Sequence, residues 1–112
     1  MTGKEIEKAI GFAIDETVDY TLNSVGSKTI YKKPTGSLTV LSFDTGVERI
    51  EKDSPFDTYI QIIEGTAVII INGNPEPLQS GKAIIIPANT AFTTKAITRL
   101  KMIVVVTKSG YE

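Results

Sequence analysis

Short apolar runs alternate with turn residues along the chain from Ser27 onward. The runs are rich in β-branched and aromatic side chains, which favour strands over helices. Between them lie residues that reverse the chain or end a strand, among them Gly65, Pro87 and the turn Asn72-Gly73-Asn74. The pattern predicts strands at 28–32, 38–43, 58–64, 66–71, 83–86, 92–95 and 100–107. Their regular spacing predicts an all-β fold, an antiparallel sandwich or barrel.

Several of these strands are apolar on both faces, namely 60–63, 68–71, 84–86 and 103–106. A half-exposed sheet would alternate apolar and polar residues, so both faces of these strands need cover. One face is predicted to line the interior of a barrel. The other face could be covered by the N-terminal arm or by a second copy of the chain. The second alternative predicts a homodimer.

Successive side chains of a strand point to opposite faces, so the orientation of one residue in the third predicted strand, 58–64, determines that of the others. If Thr58 faces the barrel interior, Ile60 and Ile62 face it too, and Tyr59 and Gln61 point outward. Tyr59 then belongs to an interface between copies, and the alternative makes it an acid in the pocket.

The N-terminal stretch 4–14 is ambiguous. Its isoleucines and alanines are spaced as on a helix, whereas 12–14 also fits a short edge strand. In either case residues 1–23 are expected to form an arm packed on the outside of a single domain. Residues 24–112 are expected to form the barrel.

Composition narrows the classes of partner. The 112 residues include 12 basic and 13 acidic side chains, for a net charge of −1. No basic excess is available to neutralise phosphates, so nucleic acid is not expected as a partner. The N-terminus lacks an apolar signal segment, and the apolar runs are far shorter than the roughly 20 residues that cross a bilayer. With no cysteine present, the chain is predicted to be cytoplasmic, with no membrane partner.

Glycine and proline positions in two segments carry a family resemblance. Gly46 and Gly65 bracket VERIEKDSPFDTYIQIIE, while Gly81 and Pro87 lie in GKAIIIPANTAF. With this spacing, residues 24–108 resemble the small single-domain cupins of the type-2, conserved-barrel family. The resemblance implies an antiparallel double-stranded β-helix, or jelly-roll barrel, with a short N-terminal arm.

The same motifs show which positions hold metal ligands in that family. Counting from the glycines places Lys52 and Ser54 at the paired histidines, Thr58 at the glutamate and Phe92 at the third histidine. None of these supplies the imidazole, thiolate or carboxylate that a transition metal takes. The chain has no histidine at all. We therefore expect no metal and no cofactor, and the family's dioxygenase, isomerase and histidine-dependent epimerase activities are not expected here.

These four positions and Phe43 make up the candidate ligand pocket, and no catalytic residue is assigned. Lys52 could bind an anion or act as a nucleophile, or it could lie solvated in its loop. The hydroxyls of Ser54 and Thr58 could bind a ligand or only the loop backbone. Phe43 and Phe92 are expected to narrow the pocket.

Acidic residues cluster near these positions, and they could hold a hard cation weakly or form a solvated loop. Their spacing lacks the glycine and the alternation of a calcium loop, which favours the solvated loop. The cluster comprises Asp44, Glu48, Glu51, Asp53 and Asp57.

The predicted function is a metal-free cupin-like protein that binds a small organic ligand, an anionic one among the candidates, in its barrel. Two alternatives remain open. One is an accessory homodimer with a filled barrel, and the other is a metal-independent isomerase or lyase that uses Lys52. An open cavity favours the first function, a filled barrel favours the second, and a buried Lys52 favours the third.

Overall fold

The computed structural model describes residues 6–108 of the chain. In this part a 3₁₀ turn at Ile14–Glu16 precedes the strands. The strands are β1 (Val25–Lys33), β2 (Gly36–Phe43), β3 (Glu48–Glu51), β4 (Thr58–Glu64), β5 (Thr66–Ile71), β6 (Asn74–Gln79), β7 (Ala83–Ile86), β8 (Phe92–Ala96) and β9 (Leu100–Thr107). No helix among the described residues is long and apolar enough to span a membrane.

The strands form two antiparallel sheets that face each other. The larger sheet has the order β1-β2-β9-β4-β7, and the smaller has the order β3-β8-β5-β6. Strand β9 lies between β2 and β4, so the last of the described strands pairs with much earlier ones. This arrangement confirms the predicted all-β jelly-roll barrel.

The core lies between the two sheets. Phe43, Ile60, Ile62, Ile69 and Met102 are among its fully buried side chains. Burying a side chain of this size contributes about 1.5–3 kcal/mol, which makes this layer the main source of stability.

Burial alternates along β4 as the strand period predicts. Thr58, Ile60 and Ile62 are buried, whereas Tyr59 is exposed and Gln61 is half-buried. The predicted assignment of inward and outward residues is therefore confirmed.

The turn between β4 and β5 depends on Gly65. Its φ of +88° lies in the left-handed region, and a Cβ there would overlap the backbone carbonyl oxygen of Arg99. Only glycine satisfies both conditions, so this position keeps the two sheets close where the chain crosses between them.

Two strands, β3 and β6, are absent from the sequence-based prediction. Both are edge strands of the smaller sheet. β6 carries Pro75 and Pro77, which the pattern assigned to a loop and which an edge strand tolerates. β3 has the sequence ERIE, in which charged residues hide the strand period.

The N-terminal arm is neither the helix nor the edge strand that the pattern allowed. Ala9 has a φ of +68°, which interrupts both regular structures, and within residues 6–24 the only helical turn is Ile14–Glu16. Residues 4 and 5 of the predicted stretch lie outside the described residues.

The arm covers one part of the outer face of the larger sheet. Ser42 Oγ donates a hydrogen bond to the carbonyl oxygen of Asp19 at 2.8 Å, and Lys101 Nζ donates to that of Asp15 at 2.6 Å. Val18 is buried as a result. The arm therefore supplies cover at Ser42 and Lys101, while Tyr59 and Ile85 on the same sheet remain exposed.

Candidate binding pocket in the barrel

A cavity of about 300 Å³ lies between the two sheets. This volume is at the lower end of the range for small-molecule sites, so it would hold a small ligand. Its lining combines hydroxyl, apolar and charged side chains. They are Ser27, Thr29, Thr39, Leu41, Arg49, Glu51, Lys52, Ser54, Thr58, Phe92, Met102, Val104 and Val106.

The structure brings together four of the five predicted pocket residues. Lys52, Ser54, Thr58 and Phe92 all line this one cavity. Thr58 begins β4 and Phe92 begins β8, on opposite sheets, and each is only 8% exposed. These two residues form fixed walls of the cavity, whereas Lys52 and Ser54 come from the loop after β3.

Phe43, the fifth predicted residue, lies apart from the cavity. It ends β2, pairs with Leu100 and is completely buried in the core. Strand alternation puts Phe43 on the inner face with Leu41, but it is deeper in the barrel than the residues that line the cavity. Its role is packing.

The loop after β3 is held to the turn after β7. The backbone N–H of Asn89 donates to the carbonyl oxygen of Ser54, and the N–H of Ala88 donates to Asp57 Oδ1 at 2.8 Å. Asn89 stands at a glycine position of the cupin motif and has a φ of +62°, a conformation that asparagine tolerates. The two motif segments thus meet at the rim of the cavity.

Ser54 and Lys52 differ in how they are held. Ser54 Oγ accepts a hydrogen bond from the N–H of Phe56 at 3.1 Å, so the backbone role predicted as one alternative is present. The Lys52 side chain is exposed at the rim. A lysine nucleophile needs a buried, desolvated position, and this exposed one does not provide it.

Two charged residues that the sequence analysis did not place in the pocket line it as well. Arg49 and Glu51 face the cavity from β3, and Arg49 Nε contacts Glu51 Oε2 at 2.6 Å. Ile50 between them points outward and is 76% exposed. The alternation ERIE could have predicted this placement, had β3 been identified as a strand.

Thr94 supplies a buried hydroxyl next to Arg49. The two residues are direct partners in the pairing of β3 with β8, so their side chains share the inner face. Thr94 is 1% exposed, and its Oγ1 has no hydrogen-bond partner among the described residues. Burying a hydroxyl without a partner is unfavourable, so its position next to Arg49 needs an explanation.

The residues at the cupin metal positions do not fit a transition metal. Phe92 has no ligand atom, Lys52 carries a positive charge, and Thr58 and Ser54 offer only neutral hydroxyls. No group of three histidine, cysteine, aspartate or glutamate side chains in residues 6–108 is arranged to hold a metal ion.

The acidic residues that cluster in sequence are dispersed in the structure. Asp44 contacts Arg99 Nε at 3.2 Å, and Lys95 Nζ lies 3.7 Å from Glu48. Backbone N–H groups of Asn23 and Thr45 also donate to Asp44, and these bonds together with Arg99 hold the pKa of its carboxyl below its usual range. These partners favour a structural role for the acids over a shared cation site.

A larger groove, of about 550 Å³, lies outside the barrel. It runs between residues 6–12 and β1, where Phe12 and Tyr31 are both about half exposed. The residues of the two cupin motif segments line the barrel cavity rather than this groove, so the barrel cavity is the better candidate site.

Solved structures similar to this chain include cupins and a protein of unknown function. A conserved protein of unknown function from Streptococcus pyogenes is 26% identical, with a TM-score of 0.85 over 97% of this chain and 96% of that one. A cupin superfamily protein from Desulfitobacterium hafniense is 20% identical, with a TM-score of 0.86 over 95% and 97%. A cupin 2 conserved barrel domain protein from Leptotrichia buccalis is 22% identical, with a TM-score of 0.88 over 92% of this chain and 50% of that one. No protein-family profile and no curated protein matches the sequence.

The two sheets and the cavity between them form a small jelly-roll barrel with the fold of the cupins. The likeness extends over nearly the whole chain in the first two structures, which confirms the resemblance predicted from the glycines and prolines. The chain therefore has the cupin fold, and Lys52, Ser54, Thr58 and Phe92 stand where the motif spacing places that family's metal ligands.

Proposed function

We propose that this protein binds a small organic ligand in its barrel without a metal. The observation that carries the proposal is the cavity of about 300 Å³, which remains open although Phe92 and Met102 reach its wall. An accessory protein with a filled barrel would have no such space. The mixed lining of hydroxyl and apolar groups is typical of sites that bind small organic molecules.

A cavity-filling variant tests this proposal. Thr39 faces the cavity from β2, and Thr39→Phe would occupy part of its volume. Thr93, on the outer face of β8, gives the matched control Thr93→Phe. A small-molecule fragment library is screened by protein NMR against the wild type and both variants.

The proposal expects fragments that shift resonances of Thr58, Leu41 and Met102 in the wild type and in Thr93→Phe. These shifts should be lost in Thr39→Phe. No cavity shift with any fragment, or equal shifts in Thr39→Phe, would overturn the proposal.

We also infer that a second copy of the chain covers the rest of the larger sheet. A row of apolar side chains crosses all five strands in register on the outer face. The row is Tyr31, Leu38, Val105, Tyr59 and Ile85. Tyr31 is 49% exposed, Tyr59 38% and Ile85 63%, and the N-terminal arm leaves them open. A continuous apolar row favours a two-fold interface, and the net charge of −1 adds little repulsion between copies.

Light scattering after size exclusion tests the homodimer. A dimer is expected at micromolar concentration for the wild type, with Ile85→Lys shifted to monomer. Ile97→Lys is the control, since Ile97 is 52% exposed but lies in the turn before β9 rather than in the row. A monomeric wild type, or a dimer that Ile85→Lys leaves intact, contradicts this interface.

A further inference from the structure

Strand β3 presents its charged residues to the barrel and its apolar residue to solvent. Arg49 and Glu51 line the cavity, while Ile50 is 76% exposed. A strand optimised for stability alone would do the reverse, because apolar burial is favourable and charge burial is costly. Charged residues at inward-facing positions of a strand are expected where function requires them.

The contact between Arg49 and Glu51 orients the guanidinium. Glu51 Oε2 lies 2.6 Å from Arg49 Nε. A contact at Nε occupies one side of the guanidinium and leaves N–H donors on its other side for a second acceptor. The planar fork of arginine is suited to a carboxylate, which can accept two parallel hydrogen bonds from it.

The charges around the cavity favour a single negative group. Two cations, Arg49 and Lys52, line the cavity together with one anion, Glu51. The lining therefore has an excess of one positive charge, which matches one carboxylate. A second carboxylate on the ligand would exceed this single net positive charge of the lining.

The remaining lining describes the body of the ligand. Five hydroxyl side chains can each donate to and accept from a ligand hydroxyl. They are Ser27, Thr29, Thr39, Ser54 and Thr58. The apolar side chains of Leu41, Met102 and Val104 can contact the carbon skeleton. This combination favours a hydroxylated aliphatic chain over a purely apolar one.

Thr94, the strand partner of Arg49, is an independent observation. Its hydroxyl is buried without a partner, directly across the strand pair from Arg49. A buried hydroxyl without a partner is unfavourable, and a polar ligand group or a water next to Arg49 would supply that partner.

We propose that the cavity binds a small hydroxylated monocarboxylate, with its carboxylate on Arg49 and its hydroxyls on the threonine and serine walls. This inference rests on the proposed function and adds the chemical class of the ligand. Arg49 is the residue that recognises the carboxylate, Glu51 is the residue that positions it, and Lys52 adds charge at the rim.

Matched probes separate the parts of this proposal in NMR titrations of the full chain. D-gluconate carries one carboxylate and several hydroxyls, and D-glucitol is the same chain without the carboxylate. Hexanoate keeps the carboxylate without hydroxyls, and D-glucarate adds a second carboxylate. L-lactate and L-threonate give shorter hydroxy acids, in case six carbons exceed the cavity.

At least one of the three hydroxy acids is expected to shift cavity resonances with saturation. D-glucitol should bind at least about tenfold more weakly, the loss that one good hydrogen-bonded charge contact represents. Hexanoate, which leaves the wall hydroxyls without partners, and D-glucarate, whose second carboxylate exceeds the net charge of the lining, should also bind at least about tenfold more weakly. Arg49→Met should weaken the hydroxy acid at least about tenfold, and Arg49→Lys, which keeps the charge but loses the fork, should weaken it by an intermediate factor.

Lys95→Met is the matched control, because Lys95 pairs with Glu48 on the outer face of the same two strands. It removes an equal charge and is expected to leave binding unchanged. Equal weakening in Lys95→Met and Arg49→Met would reduce the effect to net charge and overturn the role of Arg49.

The failure of this inference is distinguishable from failure of the proposed function. If D-glucitol shifts the cavity resonances as strongly as the hydroxy acids, the pocket binds ligands but the carboxylate assignment is wrong. If hexanoate does so, the pocket binds ligands but the assignment of hydroxyls to the threonine and serine walls is wrong. If the hydroxy acids fail while members of the fragment library bind, the ligand class is wrong and the binding function stands. If none of the probes or fragments binds, both fail.

Discussion

The Tyr20 hydroxyl donates a hydrogen bond of 2.6 Å to Glu64 Oε2, which joins the N-terminal arm to the end of β4. Two cations lie over the same ring, with the guanidinium of Arg99 5.0 Å and Lys101 Nζ 4.8 Å from its centroid. Burial, with the bond to Glu64 as the next cause, raises the pKa of Tyr20 well above its ordinary value. Tyr20 therefore holds the arm on the sheet as a neutral donor.

Removing this hydroxyl should loosen the arm. Tyr20→Phe is expected to lower the free energy of unfolding by about 1 kcal/mol, the usual contribution of a partly buried hydrogen bond. Urea denaturation measures the change. Tyr59→Phe is the control, because its hydroxyl bonds to Gln61 in an exposed position, and a change below about 0.5 kcal/mol is expected there. Equal losses of stability in the two variants would argue against this role of the Tyr20 hydroxyl.

Asp44 should make the fold sensitive to acid. Its folded-state pKa is lowered, first by the backbone N–H groups of Asn23 and Thr45 and then by Arg99. A depressed carboxyl pKa contributes stability that is present above the ordinary value of 3.8 and is lost as the pH falls through the folded-state value. The melting temperature of the wild type should therefore fall below about pH 4 more steeply than that of Asp44→Asn. Parallel pH profiles for the two proteins would contradict this role of Asp44.

Gly65 should be far less replaceable than Gly73, although both have a positive φ. Gly73→Ala meets no atom within 4 Å and should cost only backbone strain, about 1–2 kcal/mol. Gly65→Ala adds an overlap with the carbonyl oxygen of Arg99 and should cost at least about 2 kcal/mol more than Gly73→Ala. Chemical denaturation of both variants measures the difference. Similar costs would mean that the Arg99 turn moves aside easily.

Thr94 should tolerate loss of its hydroxyl. Thr94→Val removes a buried group without a partner, so the expected effect ranges from no change to about 1 kcal/mol of stabilisation. Ser42→Ala is the contrast, because Ser42 is also fully buried but donates to Asp19, and a loss of about 1–2 kcal/mol is expected. Thermal denaturation of the ligand-free proteins distinguishes the two. A destabilised Thr94→Val would show that its hydroxyl is bonded in solution.

Much of the barrel could be predicted from sequence because its central strands carry their own pattern. β4, β5, β7 and β9 begin and end where the apolar runs do, and the inward residues of β4 follow from placing Thr58 alone. The edge strands β3 and β6 could not be predicted in this way. Their charged and proline residues are stable as strands only because one neighbouring strand supplies hydrogen bonds.

The candidate site also contains residues that the sequence could predict and residues that it could not. Lys52, Ser54, Thr58 and Phe92 could be assigned to one place because the spacing of glycines and prolines sets their positions in the motif. Phe43 could not be separated from them, because how deep an inward residue lies depends on the packing of both sheets. The contact between Arg99 and Asp44 could not be predicted either, because it joins residues 55 positions apart in the chain.

The sequence by itself determined the all-β class, the faces of the central strands and the absence of histidine and cysteine, since these depend on local pattern and composition. Only the tertiary structure decided that a cavity remains open and that Arg49 and Glu51 face it, while the arm covers Ser42. These features depend on contacts between residues far apart in the chain, such as β3 with β8 and the arm with β2. No local pattern encodes the distance between two sheets, and that distance sets the space left for a ligand.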